Sequence, residues 1–221
     1  MKHYLLICLS AWAFQAAYAQ SNLSTGQLPP PACGTSPSIV EIGHIDSLAR
    51  ANAELAAQFT QNRSLLPVAY IPIKAHIGQR SDGSGGLTAM QLSDAIADMN
   101  GFFINANMQF YLCGGINYIQ NDNYYNFSQG EQAEVHGTHG EEGLINIYFF
   151  NRVRNDEGGE LCGYAYFPGG PDVIVMRNSC ATNGSTLAHE MGHYFSLYHT
   201  HGLSNTTLTD ELVDGSNCTT A

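Results

Sequence analysis

Positive charge is scarce in this chain: Lys and Arg total 8 against 19 Asp and Glu, giving a net charge of −11. A protein so acidic is a poor partner for nucleic acid or an anionic membrane, both of which are bound through clustered cations. Long apolar runs are also missing beyond the first residues, so no later segment reads as a membrane span. Tryptophan occurs once, at Trp12, and no methionine follows Met191. The 221 residues are 44% hydrophobic and 12% charged, which suits one or at most two globular domains.

What is present begins with an export signal. Lys2 and His3 precede an apolar stretch from Tyr4 to Ala17, and Ala17-Tyr18-Ala19 is an A-x-A cleavage site. Residues 1–19 are therefore expected to leave as a signal peptide, with cleavage after Ala19, and the remainder to be secreted and extracellular. Cys8 and Trp12 leave with the signal. Cys33, Cys113, Cys162, Cys180 and Cys218 stay, in a compartment that favours disulfides, and five cysteines cannot all pair within one chain. Cys162 and Cys180 flank the segment leading to residue 189 and are the favoured bridge.

The most informative stretch is His189-Glu190-Met191-Gly192-His193-Tyr194-Phe195-Ser196-Leu197-Tyr198-His199. On a helix, His189 and His193 project from one face a turn apart, so two imidazole nitrogens can reach one Zn²⁺ at about 2.0–2.1 Å. Glu190 lies about 100° further round the helix, beside the metal without having to bind it. A carboxylate there can take a proton from water as general base. His199 requires a different path. A continuing helix would rotate it about 600° beyond His193, well off the shared face. The helix must end near Phe195–Ser196 and the chain turn back, so that three ligands leave an open position.

This H-E-x-x-H-x-x-x-x-x-H spacing resembles the metzincin zinc metalloproteases, and His-Tyr-Phe-Ser-Leu-Tyr-His-Thr is most similar to the pappalysin (cytophagalysin-like) family among them. Metzincins usually carry Gly where this chain has Ser196. Glycine would accept a left-handed turn without a Cβ penalty, which Ser pays at about 1–2 kcal/mol. The resemblance implies a secreted zinc endopeptidase, acting on protein or peptide substrates. His189, His193 and His199 would hold one Zn²⁺ and Glu190 would be catalytic. It also implies an α/β (α+β) fold: a twisted, mostly parallel five-stranded sheet with two long helices, the second carrying the motif. In that family an edge strand ahead of the zinc helix pairs with extended substrate, and Gly163-Tyr164-Ala165-Tyr166-Phe167 is the candidate. Metzincins place a methionine turn downstream of the third histidine. With no methionine after Met191 and the end at Ala221, the expectation is a truncated catalytic domain whose C-terminal subdomain is missing.

Taken in order, residues 20–65 read as a leader. Pro29-Pro30-Pro31 stiffens its start, and a helix is predicted over Ile42–Phe59 with Asp46 able to cap its first turn. Cys33-Gly34-Thr35 within it admits two readings, an ordinary disulfide or a cysteine switch in which a thiolate takes the open zinc position. Residues 66–221 hold the catalytic part. Strands are predicted at Leu66–Ile77, Met108–Leu112, Leu144–Phe150, Cys162–Phe167 and Val173–Met176. A helix capped by Thr88 runs to about Ile104, and Ser185 or Thr186 caps the motif helix. Asn117–Gly130 reads as irregular loop.

Other residues offer weaker chemistry. His136 and His139 form an H-x-x-H pair that on a loop could bind a second metal, while His44 and His76 have no partner spacing. Asp210, Glu211, Asp214 and Asn217 place hard oxygens together, compatible with Ca²⁺. Two rival functions remain. Glu211, or His201, could supply the third ligand, the former making a thermolysin-type site with Asp214 behind a histidine. Alternatively, the zinc could be structural in a non-catalytic binding module, closed by a fourth ligand such as His201 or Cys33.

Overall fold

Ile145–Phe150 is apolar at every position but Asn146 and is buried on both faces, as a central strand with cover on each side must be. Ile145, Ile147 and Phe149 pack into one core cluster, and Tyr148 and Phe150 into another across the sheet. The computed structural model describes residues 32–53, 57 and 67–199. The elements there are β1 (Ala32–Cys33), α1 (Ile39–Ala51), β2 (Ala69–Gln79), α2 (Ala89–Phe103), β3 (Met108–Gln120), α3 (Asp122–Tyr125) and β4 (Asn126–Ser128). They continue with α4 (Gln132–His139), β5 (Ile145–Phe150), β6 (Arg152–Arg154), β7 (Glu160–Ala165), β8 (Val173–Arg177), α5 (Asn178–Ala181) and α6 (Thr186–Tyr194).

The sheet runs β3-β2-β5-β8-β7-β6-β4, with β1 added beside β7. Its pairings are parallel except those of β7 with β6 and β8. It is thus mostly parallel, but eight-stranded rather than five-stranded. The extra strands β1, β4 and β6 are two or three residues long, too short to show a period in sequence. The expected loop at Asn117–Gly130 is also corrected. β3 continues to Gln120, and α3 and β4 follow it. Ile73 pairs with Leu112 but Ala75 with Ile116, so Cys113-Gly114-Gly115 bulges opposite Lys74. Gly114 and Gly115 hold φ of 69° and 76°, which glycine adopts without strain.

α2 is long, with its stripe Leu92, Ala95, Ile96 and Met99 buried, and Thr88 caps it in a reciprocal pair with Gln91. The motif helix α6 has only nine residues, so the second long helix is not found where it was expected. α2 and α6 cover one face of the sheet. Ser38, not Asp46, caps α1, by a capping box with Glu41. α1 ends at Ala51 with Asn52 as its C-cap, short of the expected Phe59. Residues 54–56 and 58–66, the signal, the proline run, Cys218 and everything from residue 200 onward lie outside the described residues. The Cys162–Cys180 disulfide joins β7 to α5 as favoured, closing a loop of sequence separation 18. A loop of that length contributes about 3 kcal/mol by chain entropy.

On the sheet's other face, His76 is fully buried and stacks on Tyr148. Asn117 Nδ2 donates to its Nδ1 at 2.9 Å, so the proton sits on Nε2, which donates to Asn146 Oδ1 at 2.9 Å. Asn146 is held in that orientation because its Nδ2 donates to the Glu141 and Leu144 carbonyls. His76 is therefore a satisfied neutral core histidine, and burial pulls its pKa down to about 4. Protons taken up by the unfolded chain below about 6.5 are refused by the native chain until about pH 4. Stability is thus present above pH 6.5 and lost as pH falls through that window. The shift corresponds to about 3 kcal/mol. Denaturant unfolding of His76→Gln is expected to lose about that much less stability between pH 7 and pH 4 than the wild type.

Candidate metal centre

α6 ends in a reversal that its hydrogen bonds define. Ser196 N–H donates to the His193 carbonyl at 2.9 Å and Leu197 N–H to the Gly192 carbonyl at 2.9 Å, the pattern of a left-handed helix cap. Ser196 occupies the left-handed position at φ 75°, where glycine is usual. The chain turns where the spacing required it to turn. Two consequences follow for the histidines. His199 is carried back over α6, and the Leu197 carbonyl lands 2.6 Å from His193 Nδ1. A carbonyl only accepts, so Nδ1 bears the proton and Nε2 presents a bare lone pair.

The Nε2 atoms of His189, His193 and His199 lie 3.0, 3.0 and 3.2 Å apart. Tetrahedral Zn–N bonds of about 2.0–2.1 Å imply nitrogen–nitrogen edges of about 3.3 Å. The donor set fits a zinc ion in both chemistry and spacing. Burial holds His193 below the ordinary histidine range, which keeps it a neutral donor.

A fourth donor comes from far away in sequence. The Cys33 sulfur lies 3.6 Å from His193 Nε2 and 3.6 Å from Glu190 Oε2, and its ligand atom and the three histidines' fall within 4.8 Å of one another. β1 brings it there by pairing parallel to β7, Cys33 opposite Gly163. Gly34 N–H then donates to the Gly163 carbonyl at 2.8 Å. A Cβ at Gly34 would stand 2.7 Å from Leu161 Cδ1 and 3.2 Å from Tyr164 Cβ, so glycine allows this approach without displacing either side chain. The candidate substrate edge at Gly163–Phe167 is occupied over Gly163–Ala165 by Cys33-Gly34-Thr35. Tyr164 and Phe167 are buried, and Tyr166 Oη donates to Gln132.

Glu190 is wholly buried beneath β7, where a Cβ at Gly163 would stand 3.1 Å from its Cγ. Burial pushes its pKa up to about 7, against hydrogen bonds from Cys33 and Thr35 that pull it down. Burial and the Glu190 carboxylate push the Cys33 thiol up to about 12, so it needs a cation nearby to ionise. Cys33, Phe103, Ala188, His189, His193 and Tyr198 are among the walls of a cavity of about 840 Å³.

The remaining candidates fall elsewhere. His136 and His139 lie on α4 rather than a loop, with His136 Nδ1 2.9 Å from Tyr148 Oη. Among the described residues they join no group of metal-ligating atoms. His44 is exposed on α1. His201, Asp210, Glu211, Asp214 and Asn217 lie outside the described residues. Sequence reasoning passed over Thr35 and Gly34, whose importance appears only once β1 is seen against β7.

No protein-family model matches the chain. It is 28% identical over 211 residues to an extracellular metalloprotease of Neurospora crassa, covering 85% of this chain and 70% of that protein. It is also 28% identical over 226 residues to an extracellular metalloprotease of Colletotrichum graminicola, covering 89% and 72%. Among solved structures, a promirolysin variant of Tannerella forsythia superposes with TM-score 0.50 at 19% identity, covering 83% of this chain and 75% of that one. The fold is similar to that of promirolysin, and the relatives in sequence are named extracellular metalloproteases.

The strained turn offers a direct check. Ser196→Gly is expected to stabilise the protein by about 0.5–1 kcal/mol, the left-handed penalty less glycine's entropy, and Ser196→Val to destabilise it by more than 1 kcal/mol. Denaturant unfolding at fixed metal content measures both.

Proposed function

We propose that the chain is a secreted zinc endopeptidase held latent by its own N-terminal segment. The observation that carries this reading is the convergence of Cys33 with His189, His193 and His199, with Glu190 beside them. The three histidines would hold Zn²⁺, and residues 66–221 would form the catalytic part. Residues 20–65 would form the pro-segment, after a signal peptide of residues 1–19. When bound, zinc supplies a Lewis acid that polarises the scissile carbonyl and acidifies water. The Glu190 carboxylate accepts the attacking water's proton and later delivers it to the leaving amine nitrogen. Leu197 holds His193 in the tautomer that binds metal.

In the latent form Cys33 fills the remaining ligand position and β1 lies along β7, so an extended peptide cannot reach the edge that would hold it. Thr35 N–H approaches the Cys33 sulfur at 3.4 Å and favours its anionic form. Secretion and extracellular action agree with the names of the relatives in sequence. The pappalysin assignment rests on the text from His193 to Thr200.

A second reading, a closed structural zinc site, draws on the same fourth ligand, because structural sites are usually closed. It leaves the burial of Glu190 without a use, and burying a carboxylate is costly. In the full-length protein, Glu190→Ala is expected to keep its zinc and lose turnover of a generic protein substrate by at least about 10²-fold. Cys33→Ala is expected to gain chelator-sensitive turnover in the uncleaved chain with zinc content unchanged. A Cys33→Ala protein that loses its zinc and never turns over would establish the structural reading instead.

A further inference from the structure

In an extended strand, residues two apart share a face, so Cys33 and Thr35 point the same way while Gly34 faces Leu161 and Tyr164. With Cys33 opposite Gly163, Thr35 falls at Ala165. There the Ala165 N–H donates to Thr35 Oγ1 at 2.9 Å, taking up acceptor capacity and leaving the hydroxyl its single proton to give. Two acceptors compete for that proton: Glu190 Oε2 at 3.0 Å and the Ala165 carbonyl at 3.3 Å. The Glu190 oxygen is the closer of the two and, when ionised, the stronger acceptor, so it takes the proton. Thr35 is 3% exposed and Glu190 0%, which leaves little room for water to replace the bond.

We propose that Thr35 is a second inhibitory residue, acting on Glu190 rather than on the metal. Cys33 engages the histidine cluster and Thr35 engages one oxygen, Oε2, of the carboxylate that would accept the water's proton. One tripeptide thus occupies both halves of the catalytic machinery. The proposal rests on the latent zinc peptidase reading. It requires that the hydroxyl contribute to holding the segment through Glu190, and not merely by satisfying Ala165 N–H.

The test is a double-mutant cycle in the full-length, uncleaved protein. The readout is the rate at which iodoacetamide alkylates Cys33, followed by mass spectrometry of its peptide in metal-free protein. Thr35→Val is expected to speed alkylation about tenfold when Glu190 is present, as loss of a hydrogen bond to a charged group should. In a Glu190→Ala background the same substitution is expected to change the rate less than about twofold. Thr35→Ser keeps the hydroxyl and is expected to match the wild type, which guards against a folding defect as the cause. Equal acceleration in both backgrounds, or none in either, would overturn the proposal. Zinc added to the wild type tests the underlying reading separately. If it fails to slow alkylation, Cys33 does not bind the metal, yet the Thr35–Glu190 coupling is still read from the metal-free cycle.

Discussion

Everything at the candidate centre depends on one backbone reversal, the left-handed residue Ser196 at the end of α6. Were the helix to continue, His199 would point away from His189 and His193. Because it stops, two things happen in the next three residues. The Leu197 carbonyl fixes the His193 tautomer, and His199 closes a triangle of nitrogens with edges of 3.0–3.2 Å. A residue with a Cβ bears this conformation at some cost, which the hydrogen bonds of the cap and a bound cation would together offset.

The sheet supplies the other half of the arrangement. β5 and β8 are largely apolar and form the floor on which α6 rests through Leu187, Ala188 and Met191. β7 reverses direction beside β8, and on its other side, past its pairing with β6 at Glu160 and Leu161, it accepts the short parallel strand β1. Glycine at two positions makes the close packing possible. Gly163 leaves room for Glu190, and Gly34 lets the N-terminal segment lie flat on β7. The disulfide Cys162–Cys180 secures β7 to α5 just ahead of the motif helix. A carboxylate, a thiol and three imidazoles meet there, and burial of the carboxylate and partial burial of the thiol raise the Glu190 and Cys33 pKa values above the ordinary.

Much of this was legible in the sequence where a period or a spacing encodes it. The largely apolar run at Leu144–Phe150 and the Thr88 cap follow from local rules, and the end of the motif helix near Phe195–Ser196 follows from the spacing to His199. The Cys162–Cys180 bridge was readable from position alone. What was not legible depends on long-range pairing. β1 is two residues long and carries no pattern of its own, so nothing in Cys33-Gly34-Thr35 discloses that it lies against Gly163. The same holds for His76, whose partners Asn117 and Asn146 are far away in the chain. The tyrosines and asparagines of Asn117–Gly130 look like loop, whereas Asn117–Gln120 gains its place as strand from pairing with β2.

The most direct measurement is zinc K-edge X-ray absorption on the full-length, uncleaved protein loaded with one equivalent of Zn²⁺. The account predicts a first shell of three nitrogens at about 2.0–2.1 Å and one sulfur at about 2.3 Å, the sulfur vanishing in Cys33→Ser. A shell of nitrogen and oxygen alone in the wild type would contradict it, because Cys33 would then not be the ligand that holds the centre closed.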